Sequence, residues 1–253
     1  MTAPYYTDGT VSLYLGDCRE VLPLLTERPD ACVTDPPYVE IAAEWDRWPN
    51  GWVKAVADRL PASASLWSFG SARMFMDRLD EFAGWRFAQE ALWVKRNGTG
   101  PTGRDRLVKL HEWAYHWYRG RWSDLYHEWE REPSTTPDKG YVRKQSRQAP
   151  HQREGRENAW QDDGMRQPRS VTFVIEAPSV RYRKRHKSEK PLAVVTPLVR
   201  ECTPPGGLVI DPFVGSGTTL VAAISLGRRA IGIESDEAHC EQTARRLQEV
   251  LAA

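Results

Sequence analysis

Asp35, Pro36, Pro37 and Tyr38 end the stretch ACVTDPPYVE at residues 31–40. Proline cannot donate to a strand ladder, so the apolar run before it stops here. The stop gathers a carboxylate, a stiff backbone and an aromatic ring. Asp35 offers a carboxylate oxygen and Pro36 its backbone carbonyl. The pyrrolidine rings hold φ at about −65° and keep the two acceptors in place. Such a pair suits an exocyclic amino group on a base, such as adenine N6. The lone pair of that nitrogen is delocalised into the ring. Two acceptors aimed at its two N–H bonds favour a tetrahedral nitrogen whose lone pair is available. Tyr38 can stack on a base turned out of its helix. The plainer alternative is a turn with a helix-capping aspartate.

A second constellation lies about 180 residues later, in GLVIDPFVGSGTTLVAAISLGRRAIGIE. It reads as strand, glycine turn, helix and a strand ending in Glu234. Gly215 and Gly217 let the backbone approach a ligand and point a helix N-terminus at an anion. Glu234, 17 residues after Gly217, can hold ribose hydroxyls. Leu220 stands where a dinucleotide fingerprint has its third glycine, and no GK[ST] follows, which excludes a P-loop. A ligand with one ribose and one carboxylate remains, and S-adenosylmethionine (AdoMet) fits it.

The elements that must position these residues alternate along the chain. Strands are expected at 11–15, 30–35, 64–70, 89–96, 111–120, 170–178, 207–213 and 229–236. Helices are expected at 18–25, where Asp17 can cap the start, and at 51–60, 71–84, 192–202, 220–227 and 237–251. Residues 39–50 read as a loop, and periodicity fails over residues about 122–170. This order predicts an α/β class with a parallel or mixed sheet.

The 253 residues suit one domain with an insertion, and 27% charged residues place it among soluble globular chains. No apolar run approaches a membrane helix, and the N-terminus has no signal-peptide pattern. Cys18, Cys32, Cys202 and Cys240 form no CxxC pair, and the six histidines have no metal spacing. The expectation is a reducing cytoplasm and no metal. Charge is uneven. Residues 141–187 hold twelve Lys or Arg and five Asp or Glu, a net +7 in a chain of +1, so the rest is about −6. A basic segment on a mildly acidic body is a footprint for a phosphate backbone; a solvated surface would look the same.

TDPPY together with DPFVGSGTT resembles the amino-group DNA methyltransferases, which modify adenine N6 or cytosine N4. GDCREVL is similar to the family's adenosine-contacting segment, HEWAYHWYRG to its His-Glu strand, and RHKSEKPLAVVTPLV to its Ser-Glu-Lys-Pro segment. The likeness spans about residues 10–120 and 180–250, and the motif order resembles the circularly permuted β subgroup. It implies a Rossmann-like AdoMet-dependent methyltransferase fold from residues 1–121 and 184–253, with 122–183 as a target-recognition insertion. It implies AdoMet contacts from Asp17, Cys18, Asp35, Ser188, Lys190, Asp211, Phe213, Gly215, Ser216, Gly217, Thr218, Thr219, Glu234 and Ser235. Asp211 is expected at the AdoMet amino group, and Ser188 and Lys190 at its methionine end.

The resemblance also implies S-adenosylhomocysteine as product, double-stranded DNA as partner, a bacterial or phage source and a possible homodimer. Arg143, Lys144, Arg147, Arg181, Arg183, Lys184 and Arg185 are the candidate DNA contacts, and contact with phosphate predicts affinity that falls steeply with salt. Adenine members of the family usually carry Asp where Asp35 stands and cytosine members Ser, so adenine N6 is the expected target and cytosine N4 the alternative. No Cys follows a Pro, which disfavours cytosine C5 chemistry. An RNA or protein amino group would use the same motif, and a non-catalytic DNA-binding scaffold would not need it intact. His111 and Glu112 read as DNA contacts or core, and Trp45-Asp46 as a mobile loop or a surface turn.

Overall fold

The structure is a computed structural model and describes residues 3–40, 46–99, 105, 107–133, 164–173 and 189–252. The chain runs β1 (Tyr6–Thr7), β2 (Val11–Leu15), α1 (Cys18–Val21), β3 (Ala31–Thr34), α2 (Trp52–Arg59), β4 (Ala64–Gly70), α3 (Ala72–Asp77), β5 (Arg86–Thr99) and β6 (Lys109–Arg119). It continues with β7 (Glu132–Pro133), β8 (Met165–Arg166), β9 (Val171–Phe173), α4 (Leu192–Cys202), β10 (Leu208–Asp211), α5 (Thr218–Ser225), β11 (Arg229–Glu234) and α6 (Glu237–Leu251). No described helix is long and apolar enough to cross a membrane.

Among the described residues nine strands form one sheet in the order β1-β2-β11-β10-β3-β4-β6-β5-β9. From β2 to β4 the neighbours are parallel; β1, β6 and β5 add antiparallel pairings, and β9 lies parallel to β5. Every residue of β3, β4 and β10 is buried, as expected of central strands covered on both faces. This is the Rossmann-like sheet expected from the resemblance, with its permuted order. The strand that ends in the glycine turn comes late in the chain yet lies directly beside β3.

The placement follows from topology. From β10 the chain moves through α5 to β11 on one side, and from β3 through α2 to β4 on the other. The order therefore reverses between β10 and β3, and the crevice at their carboxyl ends is where such sheets bind ligands. Asp30 sets the register at the opposite end. Its Oδ2 accepts from Leu208 N at 2.7 Å, and its own N–H donates to Leu208 O at 2.7 Å. With that end aligned, Thr34 and Asp211 come out side by side at the other.

Several elements differ from their sequence boundaries. The expected helix 71–84 breaks after Asp77, where Arg78 leaves helical geometry, and resumes as a 3-10 turn over Leu79–Phe82. The helix expected at 18–25 tightens into a 3-10 turn at Leu22, where Pro23 follows. β5 is longer than 89–96 and carries an irregularity at Phe87/Gln89. Of the strand expected at 170–178, residues 171–173 are strand and 174–178 lie outside the described residues.

The chain divides into two compact units, 1–128 with 170–253, and 129–169. The second falls within the insertion expected at 122–183 but starts later and ends earlier, because β9 joins the first unit's sheet. Residues 122–128 belong to the first unit, where Glu128 N donates to Glu201 O at 3.1 Å and His127 Nδ1 meets Glu201 Oε1 at 2.5 Å. In the second unit β7 and β8 pair antiparallel, and Arg131 Nη2 donates to Met165 O at 2.6 Å.

Candidate active site

A cavity of about 690 Å³ opens at the carboxyl ends of β3 and β10, within the range of small-molecule sites. It extends from Asp17 and Glu234 at one end to Asp35 and Glu112 at the other. All four residues of the Asp35–Tyr38 motif line it. So do all the expected AdoMet contacts in the described residues except Gly217, which is buried behind the turn as the N-cap of α5. Ser188 and the seven candidate DNA contacts lie outside the described residues.

At the β10 end Asp211 and Glu234 are held by neutral donors, whereas Asp17 pairs with the Arg19 guanidinium at 2.5 Å. Asp211 is buried, and its Oδ1 accepts from Thr34 Oγ1 at 2.7 Å and from Phe213 N at 3.0 Å. Burial raises its carboxyl to about pH 6, although the hydrogen bonds from Thr34, Phe213 and Thr219 oppose the rise. Glu234 Oε2 accepts from Gly215 N at 2.9 Å, and Oε1 from Asp236 N at 2.9 Å. Gly16 N donates to Glu234 O at 2.8 Å, which draws the end of β2, and with it Asp17, to the end of β11. Asp17 caps α1 by accepting from Arg19 N at 2.8 Å. Burial pushes the Cys18 thiol up to about 12, so it lines the cavity as a neutral, apolar group. Phe213 packs edge-on against Trp52, ring centres 5.2 Å apart.

The glycine turn is braced from behind. Thr243 Oγ1 donates to Gly215 O at 2.7 Å, and Arg246 Nη1 donates to Ser216 O at 2.7 Å while pairing with Glu189 Oε1 at 3.0 Å. Both braces come from α6. A threonine and an arginine on an amphipathic helix carry no motif, and only the packing of α6 against the turn reveals them.

At the β3 end the carboxylates meet cations. Asp35 Oδ1 accepts from the Tyr38 hydroxyl at 2.6 Å, and Oδ2 takes the Lys190 ammonium. Lys190 is buried; its Nζ also lies 3.3 Å from Glu112 Oε2 and within 5.1 Å and 5.6 Å of the Phe69 and Tyr38 ring centres. Lys95 pairs with Glu112 Oε1. Burial alone would lower the Lys190 pKa, but Asp35 and Glu112 outweigh it and the pKa rises. Burial likewise disfavours the Glu112 anion, but Lys190 and Lys95 reverse this and hold its carboxyl below the usual value. Burial and Asp35 push the Tyr38 phenol well above its usual range. Neither Glu112 nor Lys95 shows this role in its own stretch of sequence, because the partners come from a neighbouring strand and from the segment before α4.

Asp46 lies in a loop that lines the cavity and is not an exposed turn. It is buried, and its carboxylate accepts the backbone N–H groups of Val39 and Glu40 at 2.7 Å each. Val39 has φ of 59°, strained for a β-branched residue, and Asp46 holds that turn directly after Tyr38. Trp45 lies outside the described residues. His111 stacks edge-on against Trp113, ring centres 5.2 Å apart.

Comparison with known proteins bears on this site. Residues 30–245 match the DNA methylase family designated N6_N4_Mtase. The type II methyltransferase M.ScaI of Streptomyces caespitosus is 26% identical over 274 residues, covering 97% of this chain and 84% of that protein. The crystal structure of the M1.HpyAVI–SAM complex superposes with a TM-score of 0.62 at 22% identity, covering 94% of this chain and 98% of that one. PvuII DNA methyltransferase, described as cytosine-N4-specific, superposes with a TM-score of 0.63 at 16% identity, covering 99% and 93%.

Proposed function

This chain belongs to the N6/N4 DNA methylase family, and we propose that it transfers a methyl group from AdoMet to adenine N6 in duplex DNA. The observation that carries the reading is the joining of two half-sites in one cavity. Asp35 follows β3, Asp211 ends β10, and the Thr34–Asp211 hydrogen bond ties the strand ends together.

The residues fit AdoMet. At Gly215 a side chain would meet nothing nearer than Phe213 O at 4.0 Å, so the turn leaves open space above it. Glu234 has lone pairs left for ribose hydroxyls, Asp211 for the ligand's ammonium, and buried Cys18 offers an apolar contact for adenine. When bound, AdoMet supplies a methyl group on a sulfonium, open to in-line displacement by a nitrogen lone pair.

The chain's own contribution is to present that nitrogen. Asp35 and the carbonyl of Pro36 accept the two N–H bonds of the flipped base, and Tyr38 covers its face. Asp35 orients and polarises. The methylated nitrogen is a strong acid and gives its proton to water, so a dedicated general base is not required. The second unit, 129–169, within the insertion expected at 122–183, supplies the target-recognition surface, and the basic residues of the insertion neutralise phosphates.

Adenine is favoured over cytosine because position 35 is Asp rather than Ser. The test is expression in a host that lacks DNA methylation, followed by sequencing that detects modified bases. N6-methyladenine at one recurring motif is the expected result. N4-methylcytosine there would overturn the choice of base, and unmodified DNA would overturn the reading altogether.

A further inference from the structure

Asp35 as it stands offers an incoming amine only the second lone pair of each oxygen. The Tyr38 hydroxyl occupies one oxygen and the Lys190 ammonium the other. A neutral amine N–H competes poorly with an ammonium for a carboxylate oxygen, since charge-assisted hydrogen bonds are roughly twice as strong as neutral ones. An ammonium on Asp35 also drains the negative charge that would polarise the incoming nitrogen.

Glu112 offers the way out. Its Oε1 is taken by Lys95, and its buried Oε2 forms no well-aligned hydrogen bond, although Lys190 Nζ lies only 3.3 Å away. A buried acceptor held by one long, poorly aligned contact forgoes part of what a full hydrogen bond would give. Here it sits beside an ammonium with three N–H donors. The Phe69 and Tyr38 rings flank Nζ and attract a cation from the sides.

We infer that Lys190 is a latch on Asp35, and that Glu112 is a positioning residue that takes the Lys190 ammonium when a target amine enters. The inference rests on the reading of Asp35 as the acceptor for that amine. The handover needs no proton transfer. The ammonium keeps its charge on either carboxylate, and the bond it gives up at Asp35 is replaced by one at Oε2 of Glu112. The site thereby couples exposure of its anion to the arrival of a group with N–H bonds to offer. In the absence of such a group the two carboxylates share one cation and do not repel.

The test uses the full-length enzyme, AdoMet and whole-genome-amplified duplex DNA, which carries every motif unmodified. Turnover is counted per AdoMet site titrated by calorimetry, so misfolded protein does not enter the rate. Glu112→Gln keeps the shape but removes the receiving charge, leaving Lys190 held on Asp35. The expected result is a kcat lower by roughly tenfold or more, with the KM for AdoMet and its calorimetric affinity unchanged. With the latch removed by Lys190→Met, adding Glu112→Gln should cause no further loss of kcat. Wild-type kcat in Glu112→Gln, or losses that multiply in the double variant, would overturn the latch while leaving the methyltransferase reading intact. A wild-type enzyme that methylates no DNA would overturn that reading, and the latch would fall with it.

Discussion

At the β3 end of the cavity Asp35 and Glu112 are held by the ammonium groups of Lys190 and Lys95; at the β10 end Asp211 and Glu234 are held by hydroxyl and backbone N–H donors. The first arrangement nearly cancels charge within the protein. The second satisfies hydrogen bonds but leaves negative charge in place. That difference matches two kinds of guest. A nucleobase is neutral and needs hydrogen-bond acceptors, whereas AdoMet brings a sulfonium and an ammonium that negative charge attracts. Asp211 carries the strain of this division, since burial without a cation is what lifts its carboxyl to about 6.

The sharpest way to break the comparison is to remove Asp35. Asp35→Ala should lower methyl transfer by at least about a hundredfold, as loss of a preorganised acceptor does. AdoMet affinity by calorimetry should stay close to wild type, because the β10 end is untouched. Turnover near the wild-type rate would remove Asp35 from the chemistry. Glu234→Ala should do the converse. Losing hydrogen bonds to a charged group predicts AdoMet affinity weaker by roughly ten- to hundredfold, with most of the rate restored at saturating AdoMet. An unchanged dissociation constant would take Glu234 out of the ligand site.

The pH dependence tests the β10 end more finely. A carboxyl near 6 is ionised above that pH, and only the ionised form attracts an ammonium. AdoMet affinity should therefore fall on acidification, by about tenfold between pH 7 and pH 5. Stability of the ligand-free protein runs the other way. The Asp211 pKa is raised on folding, so its contribution is fully present below the ordinary carboxylate value and is lost as pH rises through about 6. Asp211→Asn should flatten the affinity profile across this window. A wild-type profile already flat from pH 5 to 7 would mean that Asp211 meets no charged group.

Both half-sites were legible in the sequence because each is local. Asp35–Tyr38 and Asp211–Thr219 sit within a few residues of a strand end, and their chemistry travels with their spacing. The strands were legible for the same reason: β3, β4 and β10 are short, largely apolar runs bounded by turn residues. What the residues alone did not disclose is the set of partners. Glu112 and Lys95 look like ordinary polar positions on β5 and β6 until Lys190 arrives from a segment some 80 residues further on. Thr243 and Arg246 read as the polar face of an amphipathic helix until α6 packs against the glycine turn. Asp46 reads as a loop residue until its carboxylate closes the turn at Val39. Gly232 gave no signal, yet a side chain there would run into Val214 and Leu220 between β11 and α5. Pairings of this kind depend on the sheet order, which no window of sequence contains.

The smallest effect expected concerns how the β10 end keeps its shape. Gly217 sits at φ 79° as the N-cap of α5, and a Cβ there would lie 2.7 Å from Thr243 Cγ2. Gly217→Ala therefore meets two penalties: a left-handed backbone costing roughly 1–2 kcal/mol, and a steric push on the residue whose hydroxyl holds Gly215 O. The melting temperature should fall accordingly, and AdoMet binding should weaken as the turn shifts. Thr243→Ser separates the penalties, because serine keeps the hydroxyl bonded to Gly215 and lacks Cγ2. Added to Gly217→Ala it should recover the steric share and leave the backbone share. Gly215→Ala, with φ 49° and open space around its Cβ, should cost less stability than Gly217→Ala. Equal losses at the two glycines, or no recovery with serine, would mean that contact with α6 is not what holds the turn.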